Sequence, residues 1–509
     1  MTLVAVAACL VATALAGLRW LRVAQREHYI PGSVSRFAVR WWWGLGFNRL
    51  LAIGIAIDLV LAAVSPFFAI LGAAAIAVGP FGLKLRGHAP GPVKWTRRLR
   101  TLAAVWALLS LVLVAIGAIA GLVHLGAYLA AVAVPLVIDL ALSITKPIEE
   151  RLGEKWVDQA KERLRSVNPM VIGITGSYGK TSTKGYVGHL IQGSRAVVAT
   201  PASFNNTLGL ARSINENLTP GTEVFVAEMG MYAKGEIAAM VEWTQPAASA
   251  ITAIGPVHLE RMKTEDAIAE AKSEILLSAS TVALNVDDHR LAAIADRCAA
   301  EGKTVIRCSS RDTGADVSVV RTGNQLVARR HGVEIATFPD GDQPPGNVAI
   351  AIALAGAAGV PDEAIAKRLP SLPSSPNRRS LATGSTGATF IDDTYNSNPT
   401  GAHAALETLD RLAKEKNANR IILVTPGMVE LGPRQHEENA RFAAAASEIC
   451  TDVVIIGSTN RKALQEGAHQ GRARVTLVDD RPSATAWVRE NTAEGDVVLF
   501  ENDLPDHFP

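Results

Sequence analysis

The chain has 509 residues and a net charge of +2, enough for three or more domains with sizeable cores. The charge is uneven: residues 1–100 hold twelve Lys/Arg against Glu27 and Asp58, a balance of +10 that leaves −8 on the rest. An acidic remainder excludes nucleic acid as the main partner. The four cysteines (Cys9, Cys298, Cys308, Cys450) form no C-x-x-C pair, which argues against a cysteine metal site and fits a reducing cytoplasmic compartment.

The basic end is hydrophobic in long runs. Residues 2–18 carry no charge, 50–83 carry only Asp58, and 101–145 carry only His124 and Asp139. A membrane span needs about 20 apolar residues. The first run is one span, the second a short or re-entrant hairpin turning at Ser65-Pro66, and the third a pair turning near 121–126. The expectation is an all-α transmembrane domain of about five helices over 1–145. Lys/Arg crowd the loops 22–49 and 84–100 and are missing from the two turns. By the positive-inside rule the N-terminus is outside and everything after Lys146 is cytoplasmic, a multi-pass cell-membrane protein with the bilayer as partner. A cleaved signal peptide at 1–18 and buried soluble helices are the competing readings. Asp58 and Asp139 are intramembrane carboxylates, read as polar contacts between helices rather than a transport path.

Residues 146–168 are charged and helix-prone and read as a linker. From 169 onward strand and helix patterns alternate. Strands are expected at 170–174, 223–227, 248–254 and 280–284, and helices at 181–190, 234–241 and 264–277. Short antiparallel strands fit 316–338 and a helix fits 346–359. This is an α/β unit over 169–375 with a mostly parallel sheet. A second doubly wound α/β unit spans 376–509, with strands at 420–425, 452–457, 474–478 and 496–500.

The chemistry starts at Gly173-Ile174-Thr175-Gly176-Ser177-Tyr178-Gly179-Lys180-Thr181. A glycine-rich turn between strand and helix offers backbone N–H groups and a positive helix end to polyphosphate oxygens. Lys180 can reach the outer phosphates and Thr181 can hold Mg²⁺. The glycine spacing departs from G-x-x-x-x-G-K-[ST], whose first glycine would fall on Ile174. Five pieces follow in order: Thr200–Gly209 (TPASFNNTLG), Val224–Gly230 (VFVAEMG) with Glu228, Gly255–Glu260 (GPVHLE) with His258, Lys272-Ser273-Glu274, and Asp392–Pro399 (DDTYNSNP). Taken singly, His258 reads as a capping histidine and Lys272 as a solvated helix lysine. Their order is what carries weight.

In these motifs residues 168–505 resemble the Mur ligases, ATP-dependent amide-forming enzymes of peptidoglycan assembly. Within them the chain is most similar to the branch that adds D-alanyl-D-alanine to UDP-N-acetylmuramoyl-tripeptide. The resemblance implies a central ATP-binding domain and a C-terminal Rossmann-like domain. It also implies the roles. Gly176, Ser177, Gly179 and Lys180 would bind the ATP phosphates. Thr181 and Glu228 would hold one Mg²⁺, and His258 a second, supported by Lys272 in carbamylated form. Asn285 and Asn347 would lie near the nucleotide, Arg378 would contact phosphate, and Asp393 and Asn396 would close over ATP. Lys180, Lys272 and His258 are the implied catalytic groups. A carboxylate attacks the γ-phosphate, giving an acyl phosphate and ADP, and an amine then displaces phosphate. Two anions must meet, which calls for metals and a lysine.

Three features depart from the family. Membrane helices stand where the soluble ligases carry a UDP-sugar domain, so the acceptor, a cell-wall precursor, is expected to be UDP- or lipid-linked. Gly427 replaces the aspartate of G-D-M-x-E-L-G in Thr425–Gly432, and Glu501–Pro505 (ENDLP) lacks the family's K-G-S. Those segments serve the incoming amino acid or dipeptide, so its identity is open. The expected function is a membrane-anchored ligase of envelope assembly. The alternatives are a ligase of the poly-γ-glutamate type, an ATP-driven transporter, and a scaffold with a relic nucleotide site.

Overall fold

The computed structural model describes residues 1–85, 93–257, 259–341, 343–373, 380–384, 386–394, 397–504 and 507–508. The chain forms two compact units, one of Met1–Leu152 with Gly457–Thr459 and Leu504–Pro509, the other of Gly153–Ile456 with Asn460–Asp503.

The first unit is helical: α1 (Thr2–Arg26), α2 (Ser33–Gly44), α3 (Gly46–Leu61), α4 (Pro66–Val78), α5 (Arg97–Ile119), α6 (Val123–Val132) and α7 (Val134–Val167), the last running on into the second unit. The breaks fall at the expected turns: Ser65 caps α4 ahead of Pro66, and α5 ends at Ile119. The expected five crossings are corrected. Among the described residues, α1 and α5 alone are long and apolar enough to cross a membrane as single helices. The count reaches four if α2–α3, bent by 109°, and α6–α7, bent by 74°, each make one span. With 13 residues, α4 reaches only about 20 Å at 1.5 Å per residue. Asp139 is a cap. Its carboxylate accepts the N–H groups of Gly32 (2.9 Å), Val34 (3.3 Å) and Ser35 (2.8 Å) and the Ser35 hydroxyl (2.5 Å). These are orphan donors at the start of α2, and an anion there also suits the helix dipole. The polar contact expected for Asp139 is therefore between α7 and α2. Near the chain's end, His507 sits 3.0 Å from Glu27 and takes the Trp41 indole N–H on its carbonyl at 2.8 Å.

The second unit holds two sheets. Strands β1 (Met170–Thr175), β2 (Val197–Ala199), β3 (Val224–Glu228), β4 (Ala248–Ile251), β5 (Thr281–Asn285), β6 (Thr304–Ser309), β7 (Val317–Thr322), β8 (Gln325–Arg330) and β9 (Val333–Pro339) form the first, in the order β2-β3-β1-β4-β5-β6-β7-β8-β9. Pairing is parallel from β2 to β7 and antiparallel through β7–β8–β9. The parallel strands are apolar on both faces because helices cover both. Ile172 and Ile174 pack with the helix Pro345–Ala357, while Val171, Phe225 and Val282 pack with Leu210, Ile237 and Leu291 on the other side. The second sheet runs β10 (Ser380–Thr383), β11 (Thr389–Asp393), β15 (Val497–Glu501), β12 (Ile421–Thr425), β13 (Asp452–Ile456), β14 (Arg474–Val478), with only β10 antiparallel. The α/β fold class with a helical N-terminal region is as expected.

Candidate functional site

The glycine loop joins β1 to the helix α8 (Lys180–Ile191). Two of its glycines are required by the backbone. Gly176 has φ +154°, and a Cβ there would meet Thr252 Oγ1 at 1.9 Å. Gly179, which caps α8, has φ +79°, and a Cβ would meet the Asn347 amide at 2.6 Å. A side chain at either position would be strained and crowded. The loop is pinned from β4: Ser177 N–H donates to Ala253 O at 2.7 Å, and Gly255 N–H donates to Ser177 Oγ at 3.1 Å. Beside it Tyr178 is buried, which pushes its phenol above the usual range.

Lys180 is the first residue of α8, and its ammonium folds back over the loop to Gly176 O at 2.7 Å. Lys272, in the last turn of the helix Glu265–Ser273, is 2 % exposed. Burial, then the nearby Lys180 charge, lower its pKa well below the usual lysine range. The charge of Lys180 is thus near enough to bear on the Lys272 amine. Asn285 ends β5 and lies against Gly346, and Asn347 next to it lies against Gly179. Asn347 therefore lies against the loop, and Asn285 against the residue before Asn347.

Glu228 ends β3, directly opposite Ile174 of β1, and is 1 % exposed. Its carboxylate takes the Asn205 amide at 3.1 Å and the Lys184 ammonium at 3.0 Å, and Lys184 also donates to Ala202 O at 2.5 Å. Lys184 was not singled out from the sequence. Its only signal is its place one turn beyond Lys180 on α8. A carboxylate and a carbonyl thus converge on one cation. Such hard oxygen donors, with the Thr181 hydroxyl on α8, suit Mg²⁺, which usually takes one or two protein ligands and completes its shell with phosphate and water.

In the second sheet Asp393 ends β11 and pairs with Glu501 of β15. This part of the unit is tied to the central part by Leu259 N–H to Glu430 O at 3.1 Å and by Arg434 to Glu265 at 2.7 Å. His258, Arg378 and Asn396 lie outside the described residues. Among the described residues no three His, Cys, Asp or Glu side chains group as a metal site. The arrangement offers a glycine loop at a helix N-terminus with the Lys180 ammonium folded over it and a buried carboxylate at the end of the neighbouring strand, features that suit a polyphosphate.

Residues 174–361 match the Mur ligase middle domain and residues 377–501 the Mur ligase glutamate ligase domain. The UDP-N-acetylmuramoyl-tripeptide–D-alanyl-D-alanine ligase of Bacillus subtilis is 32 % identical over 350 residues, covering 67 % of this chain and 75 % of that one. That of Mycobacterium tuberculosis is 32 % identical over 360 residues, covering 65 % and 70 %. Among solved structures, MurF from Acinetobacter baumannii superposes with a TM-score of 0.59 at 24 % identity, over 69 % of this chain and 77 % of the other. MurF from Thermotoga maritima in complex with ADP gives 0.57 at 23 %, over 69 % and 80 %. These two show a common fold.

Proposed function

The chain belongs to the Mur ligase family of ATP-dependent amide-bond-forming ligases, and on that premise we propose that it joins an amino acid or dipeptide to a cell-wall precursor from a membrane anchor. The observation that carries the chemistry is the glycine loop at the start of α8 with the Lys180 ammonium folded over it at 2.7 Å, and buried Lys272 within reach of that charge. The relatives named above act, by name, on a UDP-muramoyl tripeptide and D-alanyl-D-alanine.

In this reading the loop amides and Lys180 hold the ATP phosphates, and Asn285 and Asn347 flank the nucleotide. Glu228 and Thr181 would hold Mg²⁺, which neutralises charge between the phosphates and the attacking carboxylate. Lys184 holds the Glu228 carboxylate in place through its 3.0 Å ion pair. Buried Lys272 is suited to carbamylation, because only a neutral amine adds CO₂. His258 would join it at a second metal. Arg378, Asp393 and Asn396 would complete the nucleotide site from the C-terminal side. Exclusion of water by the closing domain protects the acyl phosphate from hydrolysis.

The anchor rests on α1 and α5 and on their surfaces. Leu3, Leu108, Leu111, Ile116 and Ile119 are all more than half exposed. Apolar faces that open are at home in lipid rather than water. The chain passes from this unit into the ligase unit through α7, and β1 begins three residues after that helix ends. A lipid-borne acceptor would then be met at raised effective concentration.

The test is ADP release by the full-length protein against UDP-linked and lipid-linked precursors, with amino acids and dipeptides, beside a span-free chain starting at Glu150. Both should bind ATP. The span-free chain should lose most of its turnover on the natural acceptor. Equal turnover on a soluble UDP-muramoyl peptide would reduce the helices to a tether, and no ADP release with any precursor would end the ligase reading. Sidedness has its own check. With α1, α5 and the bent pair α6–α7 crossing and α2–α3 staying on one side, a cysteine placed at 123 should react with an impermeant reagent from outside and one at 92 should not; the reverse pattern overturns the N-out orientation.

A further inference from the structure

The C-terminal ends of β11, β15 and β12 lie side by side, and in an open parallel sheet that edge is where ligands are held. Glu501 ends β15 there and is 1 % exposed. The Ser397 hydroxyl donates to one of its carboxylate oxygens and the Thr425 hydroxyl to the other, at 2.6 Å. Thr425 Oγ1 in turn accepts the Gly427 N–H at 2.9 Å. The next residue works on the same turn: the Asn502 amide donates to Gly427 O at 2.6 Å, and Asn502 N–H donates to Asp393 O at 3.1 Å. Gly427 has φ +74°, and a Cβ would strike Asn439 Oδ1 at 2.3 Å, so the turn is built for glycine. Both oxygens of Glu501 are used as acceptors, which is the arrangement of an ionised carboxylate.

We propose that Glu501 is a positioning residue for ligation, whose carboxylate ties Ser397 to the Thr425–Gly427 turn and so fixes that turn against Asp393. The inference rests on the ligase reading above. Stability alone does not account for the residue. Burial, together with the charge of Asp393, pushes the Glu501 carboxyl up to about 7 from an ordinary 4.5. A carboxyl raised in this way binds its proton more tightly folded than unfolded, so stability falls as pH rises from about 4.5 to 7. A glutamine would avoid that cost. The charge is retained at the ligand edge of the sheet, where an ionised group sets the geometry of two turns at once.

The test uses the full-length protein and the variants Glu501→Gln and Thr425→Val. In ADP-release assays Glu501→Gln should lower kcat by about tenfold or more, with KM for ATP within about twofold, because the glycine loop is untouched. The inflection of log kcat near pH 7 should vanish. Thr425→Val should act in the same direction, and the double variant should be no worse than the poorer single one, as expected for one coupled unit. Amide exchange at Gly427 should quicken in both. Should Glu501→Gln fail to fold, Thr425→Val carries the test. A kcat and pH profile equal to wild type would overturn the proposal. If the wild-type protein turns over no precursor, the ligase reading fails separately, and Gly427 exchange decides: unchanged exchange in Glu501→Gln overturns the tie, faster exchange supports it.

Discussion

Lys180→Ala is expected to abolish ligation while leaving the protein folded and inserted. The ammonium now rests on Gly176 O at 2.7 Å and Ser177 O at 3.5 Å, inside the loop that would cradle the phosphates. It is placed to swing onto a phosphate oxygen with little rearrangement of the chain. Removing one preorganised charge from the transition state costs about 10²–10³ in kcat in comparable sites. Helix α8 should survive, because alanine is the best helix former and Lys180 sits at its first position. Loss of ADP release, with unchanged flotation alongside lipid vesicles, is the expected pair of results. Normal turnover would remove Lys180 from the phosphate site.

The parts of this molecule that were legible in its sequence are those fixed by local constraint. Glycines at 176 and 179 announce positive φ, and the apolar run before them can only be a strand buried on both faces. The antiparallel turn-back at 317–339 shows in its short alternating strands. Lys184 was not legible, because a lysine on a helix reads as solvated. Only the fold brings it to Glu228, 44 residues on, and buries both. Asp139 looked like an intramembrane carboxylate, and its role emerges only when α7 meets the start of α2 more than a hundred residues away. Strand β11 was missed because Thr389–Asp393 carries two aspartates in five residues, and its parallel partner β15 lies at the far end of the chain. The shortness of the helix Pro66–Val78 and the bends at Leu45 and Ala133 also escaped notice. The signals of the bends are Gly44 and Gly46 at the first and Pro135 at the second, where the missing N–H weakens the helix start.

Lys272→Ala should also be inactive, for a different reason, and should be partly rescued by added short carboxylates. The amine is buried beside the positive Lys180, and both circumstances favour its neutral form. A neutral amine adds CO₂: its nitrogen lone pair forms the N–C bond as one C–O π bond opens, one proton leaves to solvent, and a carbamate results whose single negative charge is shared by two oxygens. That group would turn a neutral amine into a hard-oxygen ligand near the Lys180 charge. The stability sign follows from the same shift. With a folded pKa below the unfolded 10.5, the unfolded chain binds more protons in that window, so an unmodified Lys272 costs stability at neutral pH and the cost fades as pH rises. Lys272→Met, which keeps the volume and discards the charge, should therefore melt no lower than the wild-type protein prepared without bicarbonate, while losing turnover by about 10² or more. Carbon-13 bicarbonate should label the wild-type protein and neither variant. A fully active Lys272→Ala, or a wild-type protein that takes up no label while it turns over, would show that the buried amine works unmodified and that any second metal is held by other groups.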